Sequence, residues 1–447
     1  MSADTLAVKT VEERIVYVAI VGSWAWYAMG ALYIAAPVVE MLLLGLYFWR
    51  LYTIWKAPEL RPYRVPAGVW VWIAGMVAML IALITAHVEW ELGLPLTLKS
   101  SIGWLKGWAL LAIFPLVGAC LRIRPEVVVR GVMWLAVQTL ALMPILILAG
   151  LAHLPEKLFV SPLKVIGGPG PEFFSVYLYT IDPSNGGLRW QFIAPWAPAA
   201  GMIGDMIFVL ARLERNRRLR IAATIAAVLI CLMTKSRMAI LFLVVCPPLI
   251  WSLSRISRPA LQMGMAALSL FVGLIADQVL QIVQNSIAAF RGARADSTRV
   301  REALGRIAVN RWREEAPIFG HGVVQRGPHY VEFMPIGSHH TWYGLLYVKG
   351  LIGVAGLAIP LAWTFLEMLL LAQSSLLGRV ALGVVFMLGF YSGGENLEIL
   401  SYLFWPGLLL IGAAHRKAML AGKPVGSDHH PRELVNYSML SGPIASV

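Results

Sequence analysis

Apolar residues run along this chain in long blocks separated by short charged breaks. Blocks fall at about 14–30, 32–52, 67–86, 102–121, 131–151, 191–211, 219–233, 238–254, 260–282, 342–371, 378–394 and 397–414. Most approach the ~20 residues an α-helix needs to cross a hydrocarbon core, so the pattern predicts about twelve spanning helices. Between them Lys and Arg gather at residues 50–64, 122–130, 213–220, 255–258, 379 and 415–417. Each of these clusters follows an even-numbered block. By the positive-inside rule those connections, and both termini, are expected in the cytoplasm.

Composition points the same way. The 447 residues are 59% hydrophobic and only 14% charged, against roughly 25% charged in an ordinary soluble domain. The expected fold is an all-α polytopic membrane protein. A net charge of +13 would suit nucleic acid if it lay on one face, but here it is dispersed into cytoplasmic-type loops, so no nucleic-acid partner is expected. Cys120, Cys231 and Cys246 lie in apolar blocks without metal spacing and read as core residues. The polar start MSADTLAVKTVEER runs into a full-length block without a small-residue cleavage site, so no removable signal peptide is expected. The chain divides into 1–282 (nine spans), a loop at 283–341, 342–414 (three spans) and a cytoplasmic tail at 415–447.

The opposite side receives a TKSR turn at 234–237, a loop at about 152–190, and the long loop. Loops beyond ~15 residues without a fold of their own are usually functional. This one carries VREALGRIAVNRWREE at 300–315, with Val300, Leu304, Ile307, Ala308 and Trp312 on one helical stripe, expected to lie along the membrane surface. Arginine is in excess on this side: Arg189, Arg237, Arg291, Arg294, Arg299, Arg301, Arg306, Arg311 and Arg313. A basic helix resting on anionic headgroups accounts for the long-loop arginines equally well. Arg237 is harder to account for in that way. It sits at a hairpin between two short apolar blocks, where an unpaired charge costs a few kcal/mol unless it meets an anion. Guanidinium matches phosphate oxygens bidentately, so a lipid-linked phosphate is its natural partner, with snorkelling to the interface as the alternative.

Two of the nine histidines, His339 and His340, stand together at the start of the tenth block. A neutral imidazole there can take a proton from a sugar hydroxyl. Adjacent helical positions point ~100° apart, so only one faces a given cavity. His87, His153, His321 and His329 read as loop residues, and no spacing suits a zinc pair. Glu395 and Glu398, in the turn GGENLE between the last two blocks, could orient the histidine or bind sugar hydroxyls, although a solvated turn is the commoner outcome. Trp190, Trp196, Trp342 and Tyr343 fit either sugar stacking or an interfacial aromatic belt. Glu40, Lys106, Asp205, Asp277 and Glu367, within or at the edges of apolar blocks, keep a transporter or flippase of lipid-linked oligosaccharide open as the alternative. No two halves of the chain mirror each other as transporter repeats often do.

Taken in order, these motifs resemble the O-antigen ligase and polymerase superfamily of bacterial surface-polysaccharide synthesis. HHTWYGLLYVKGLIG is similar to that family's histidine followed by Gly-x-x-Gly, and counting back from Gly350 and Gly353 places its histidine on His339, with His340 where asparagine is usual. PIFGHG at 317–322 resembles a second motif. TKSR matches the family's Ser-Arg hairpin at Arg237; STR matches an arginine at Arg299, with Arg301 the alternative because the spacing is longer; Arg189 falls where many members carry another. The resemblance implies a GT-C-like membrane fold with a large periplasmic loop, in the bacterial inner membrane with its active site on the periplasmic side. It also implies metal-independent, inverting transfer of a glycan from undecaprenyl diphosphate to a sugar hydroxyl, with His339 as base, Arg237, Arg299 and Arg189 on the diphosphate, and His340, Arg301 and Glu395 in support. No cofactor or metal is expected. The acceptor would be another glycan, in a polymerase, or lipid A core, in a ligase, and the partners membrane lipids and a flippase or chain-length regulator.

Overall fold

The computed structural model describes residues 8–56, 64–182, 186–292, 295–337 and 340–421, and the side chains among these except at 283 and 286–298. Helix dominates. The first half contains α1 (Val11–Val21), α2 (Ser23–Ala28), α3 (Leu32–Lys56), α4 (Ala67–Glu89), α5 (Leu94–Lys106), α6 (Leu110–Cys120) and α7 (Pro125–Leu151). Two small antiparallel pairs follow, β1 (Lys157–Val160) with β2 (Ser175–Tyr177) and β3 (Thr180–Ile181) with β4 (Leu188–Arg189). The second half is α8 (Ala197–Leu210), α9 (Arg217–Met233), α10 (Arg237–Leu253), α11 (Pro259–Leu274), α12 (Ala276–Gly292), α13 (Ala295–Glu315), α14 (Thr341–Ala372), α15 (Leu376–Ser392) and α16 (Leu397–Ala421).

Among the described residues five helices, α3, α4, α7, α14 and α16, are long and apolar enough to cross a membrane. The number is seven if the bent pairs α5–α6 (42°) and α11–α12 (84°) each form one span. The remaining apolar blocks fall on shorter helices whose starts are set by side-chain N-caps: Asn216 caps α9, Ser236 caps α10 and Ser375 caps α15. The first block is split at Gly22 into α1 and α2. α16 is buried almost along its length and lies close against α6, where a Cβ on Gly118 or Gly412 would fall on the other helix's backbone. At another end of the fold, basic residues meet buried acids: Arg50 pairs with Glu12, Arg124 with Glu13 at 2.6 Å, and Arg130 with Glu214 at 2.8 Å. These pairs tie α1 and α7 to their neighbours, so the clusters at 50–64 and 122–130 do more than mark a side.

The central irregularity lies in α14. Gly350 adopts φ 59°, ψ −156°, a conformation that only glycine holds readily, and it interrupts the helix. The interruption leaves backbone groups without intrahelical partners, which is costly at membrane depth. PIFGHG supplies the partners. His321 N–H donates to Tyr347 O at 2.8 Å and Gly322 N–H to Val348 O at 2.9 Å, while Leu351 N–H donates to Pro317 O at 3.0 Å and Ile352 N–H to Ile318 O at 3.3 Å. The loop is thus clasped into the break.

Side chains lock the clasp. The buried His321 ring stacks on Tyr347 (centroids 4.3 Å apart) and Trp90 (5.0 Å), and its Nε2 lies 2.8 Å from Glu315 Oε2. Arg311 bridges Glu315 and the Tyr347 hydroxyl, and its hydrogen bonds, with those of His321, pull the Glu315 carboxyl down to about 2. The stripe of α13 expected to lie on the membrane surface instead packs on protein: Val300, Ala303, Leu304 and Ala308 are buried against Val331, Ile336 and Tyr347. In consequence α13 is fixed over the start of α14. Replacing Gly350 with Ala would drive its Cβ onto the Ile318 carbonyl and impose a forbidden φ, at a cost of about 1–3 kcal/mol or more. Gly350→Ala is therefore expected to lower the unfolding temperature of the detergent-solubilised chain; an unchanged transition would contradict the clasp.

Candidate anion-binding site

A cavity of about 670 Å³ opens where α13 overhangs the first residues of α10 and α14. Three separate stretches supply its charge. β4 contributes Arg189, almost fully buried, whose Nε donates to Thr234 O at 3.1 Å while Asp182 lies 3.6 Å from Nη1. That contact binds β4 to the tight turn between α9 and α10, where Lys235 takes a positive φ of 48°. Ser236 then caps α10, accepting from Ala239 N at 3.4 Å, so that Arg237 is the first residue of the helix. The amino end of a helix carries partial positive charge and spare N–H groups, and with Arg237 beside it this corner suits an anion. From above, α13 adds Arg301, Glu302 and Arg306.

The start of α14 forms the third wall. His340 caps the helix with its imidazole: Nδ1 accepts from Trp342 N at 3.2 Å and Tyr343 N at 3.5 Å. Burial, then the Arg301 charge, hold its pKa below the ordinary value. A neutral ring accepting at Nδ1 carries its proton on Nε2. His340 therefore offers the cavity a hydrogen-bond donor and is poorly disposed to accept a proton there. His339 lies outside the described residues. Thr341 anchors the same corner: its N–H and Oγ1 both donate to Glu395 O, at 3.1 and 2.6 Å, and its Oγ1 accepts from Leu397 N at 3.0 Å.

The turn between α15 and α16, expected to be solvated, is drawn inward by those bonds. Glu395 is 5% exposed and lines the cavity, with Oε2 accepting from Trp196 Nε1 at 2.9 Å. Burial pushes its carboxyl up to about 7, against the opposing pull of Arg301 and the indole. Sequence reasoning ranked this residue too low. The turn GGENLE has no local signal of burial; only the tertiary bond to Thr341 creates it.

Of the arginines singled out in the sequence, Arg189, Arg237, Arg301 and Arg306 line the cavity, whereas Arg299 is not on its wall and is exposed on α13. Tyr343 lines it as well, but the indoles of Trp190, Trp196 and Trp342 are committed to Leu146 O, Glu395 and Ser392. No protein-family model matches the chain, and no curated protein is similar to it. Its site rests on its own geometry.

Other titratable groups lie elsewhere. His87, expected to be exposed, is buried in α4 between Leu83 O (2.8 Å) and Ser100 Oγ (2.9 Å), since α5 folds back over it. Asp205, buried in α8, accepts from Tyr391 OH at 2.6 Å and from Cys231 Sγ at 3.5 Å, which marks it as a structural acid. Glu40 in α3 is fully buried, and among the described residues neither of its oxygens accepts a hydrogen bond. No group of three His, Cys, Asp or Glu among the described residues is placed to hold a metal ion.

Proposed function

We propose that the chain is a multi-pass membrane glycosyltransferase of bacterial surface-polysaccharide synthesis, moving a glycan from undecaprenyl diphosphate to an acceptor sugar hydroxyl. The observation that carries this reading is the cavity itself. It gathers Arg189, Lys235, Arg237, Arg301 and Arg306, from three stretches distant in sequence, around the amino end of a helix. Such a cluster repels itself and gains most from a multiply charged, oxygen-rich ligand. Apolar helices beneath the site suit a ligand whose phosphate is joined to a lipid. On this reading the chain has about twelve spans, with the cavity on the periplasmic side of the inner membrane and both termini in the cytoplasm. The acceptor is another glycan or lipid A core.

The chemistry follows from charge. As the anomeric C–O bond to the diphosphate breaks, the electron pair leaves on phosphate oxygen, and guanidinium groups already in place stabilise it by about 3–4 kcal/mol per well-placed donor. The acceptor oxygen bonds to the anomeric carbon from the opposite face, inverting it. His339 takes the proton in the assignment that the motif implies, while His340, whose Nδ1 is engaged in the cap, donates from Nε2 to an oxygen of the ligand.

Two outcomes test this reading in a strain lacking the gene, with surface polysaccharide separated by gel electrophoresis. Arg237→Ala is expected to lower product formation by about 10²–10³, and Arg237→Lys by less, because Lys keeps the charge and loses the fork. Wild-type product from Arg237→Ala would remove that residue from the site. His339→Ala should abolish product in a chain that still reaches the membrane, while His340→Ala leaves measurable synthesis; the reverse order would identify the other imidazole as the base.

A further inference from the structure

Glu395 presents a paradox in a cavity built from cations. It lies on the wall with Arg189, Lys235 and Arg237 on one side and Arg301, Glu302 and Arg306 of α13 on another, with His340 and Tyr343 from α14. Behind it stand Tyr391 and Asp205, bonded to each other. Even so, its carboxyl makes no ion pair among the described residues, and its one side-chain hydrogen bond comes from the neutral indole of Trp196. The backbone that carries it is fixed. Its N–H donates to Tyr391 O at 2.8 Å, and its carbonyl is held by Thr341. A carboxyl that is 5% exposed and unpaired is cheaper to hold protonated than ionised. The protonated acid has one O–H to donate, and Oε1 carries no hydrogen bond among the described residues.

We propose that Glu395 is a neutral member of the anion clamp: as a carboxylic acid it donates its O–H to a phosphate oxygen of the bound lipid diphosphate, and on losing that proton it expels the ligand. This assignment rests on the reading of the cavity as a diphosphate site. The arginines recognise phosphate by charge, and Glu395 makes occupancy depend on a proton.

The sign follows from like-charge repulsion. Burial already holds the free acid near 7, and an adjacent diphosphate raises it further. Well below pH 7 the group is protonated with or without ligand and contributes no pH dependence. Above pH 7, binding must take up a proton, so affinity falls by up to about tenfold per pH unit until the acid in the complex itself ionises. His340 titrates below its ordinary range, outside this window, and the arginines stay charged throughout it. After transfer, the proton leaving Glu395 for solvent favours release of the diphosphate product.

The test uses the purified full chain in nanodiscs and farnesyl diphosphate as a soluble probe. Titration calorimetry is run from pH 6 to 9 in two buffers of different ionisation enthalpy, which counts the protons exchanged. Wild type is expected to lose about tenfold in affinity between pH 7.5 and 8.5 and to take up close to one proton per ligand at pH 8.5. Glu395→Gln, neutral at every pH, should bind about thirtyfold tighter than wild type at pH 8.5, without that uptake. Glu395→Asp should keep the pH dependence and thus separate titration from packing. The same affinity slope and proton count in Glu395→Gln as in wild type would overturn the assignment, as would loss of binding at all pH values in a monodisperse Glu395→Gln. Wild-type binding that Arg237→Ala leaves unchanged would overturn the diphosphate reading itself, and this assignment with it.

Discussion

The break at Gly350 is the constraint from which the rest of the site follows. A helix that opens in its middle must satisfy its freed carbonyl and amide groups, and PIFGHG does so with four backbone hydrogen bonds to residues 347–352. Through Glu315, which bonds to His321, and through Tyr347, which bonds to Arg311, the clasped loop also holds the end of α13. With that end fixed, the face of α13 bearing Arg301 and Arg306 closes over Arg237. A motif that looks remote from any chemistry therefore sets the height of the cavity roof.

The cavity that results is rich in cations. Arg189 is tied to a backbone carbonyl and to Asp182, and Lys235, Arg301 and Arg306 line the same cavity as Arg237 at the amino end of α10, where the helix dipole adds to their charge. Preassembled cations of this kind carry a repulsive cost that a polyanionic ligand relieves, and they need not rearrange when charge develops on a leaving group. Glu302 and Glu395 are the acids on the walls. Their contrast is instructive: Glu302 is exposed on α13, whereas Glu395 is buried and anchored at both ends. Burial turns a residue that would merely neutralise the site into one that can respond to pH.

Much of the fold was legible in the chain because membrane helices write themselves as apolar blocks, and α3, α4, α7, α14 and α16 coincide with five of them. The shorter helices α9, α10 and α15 also begin and end within two residues of their blocks, whereas the division of the first block at Gly22 into α1 and α2 carries no comparable mark. Within the site, Arg237 was legible from its place at a hairpin between apolar blocks, and Arg189 from the arginine excess in the odd-numbered connections, away from the basic clusters that follow even-numbered blocks. The choice between Arg299 and Arg301 was not, because positions two apart lie on opposite faces of a helix, and the phase that turns one of them to the cavity is set by Leu304 and Ala308 packing on Val331 and Ile336. The burial of His87, His321 and Glu395 was invisible for the same reason. Each is covered by a segment outside its own element, and a polar residue carries no mark of what will fold over it.

On the proposed function, the α13 roof, the α10 start and the α14 start form one diphosphate site. The most direct measurement is an electron cryomicroscopy reconstruction of the full chain in nanodiscs with undecaprenyl diphosphate. Density for the two phosphates is expected between Arg237 and Arg301, within hydrogen-bond reach of His340 and Glu395, with the lipid leading away among the apolar helices. Phosphate density bound elsewhere, with this cavity empty, would contradict it.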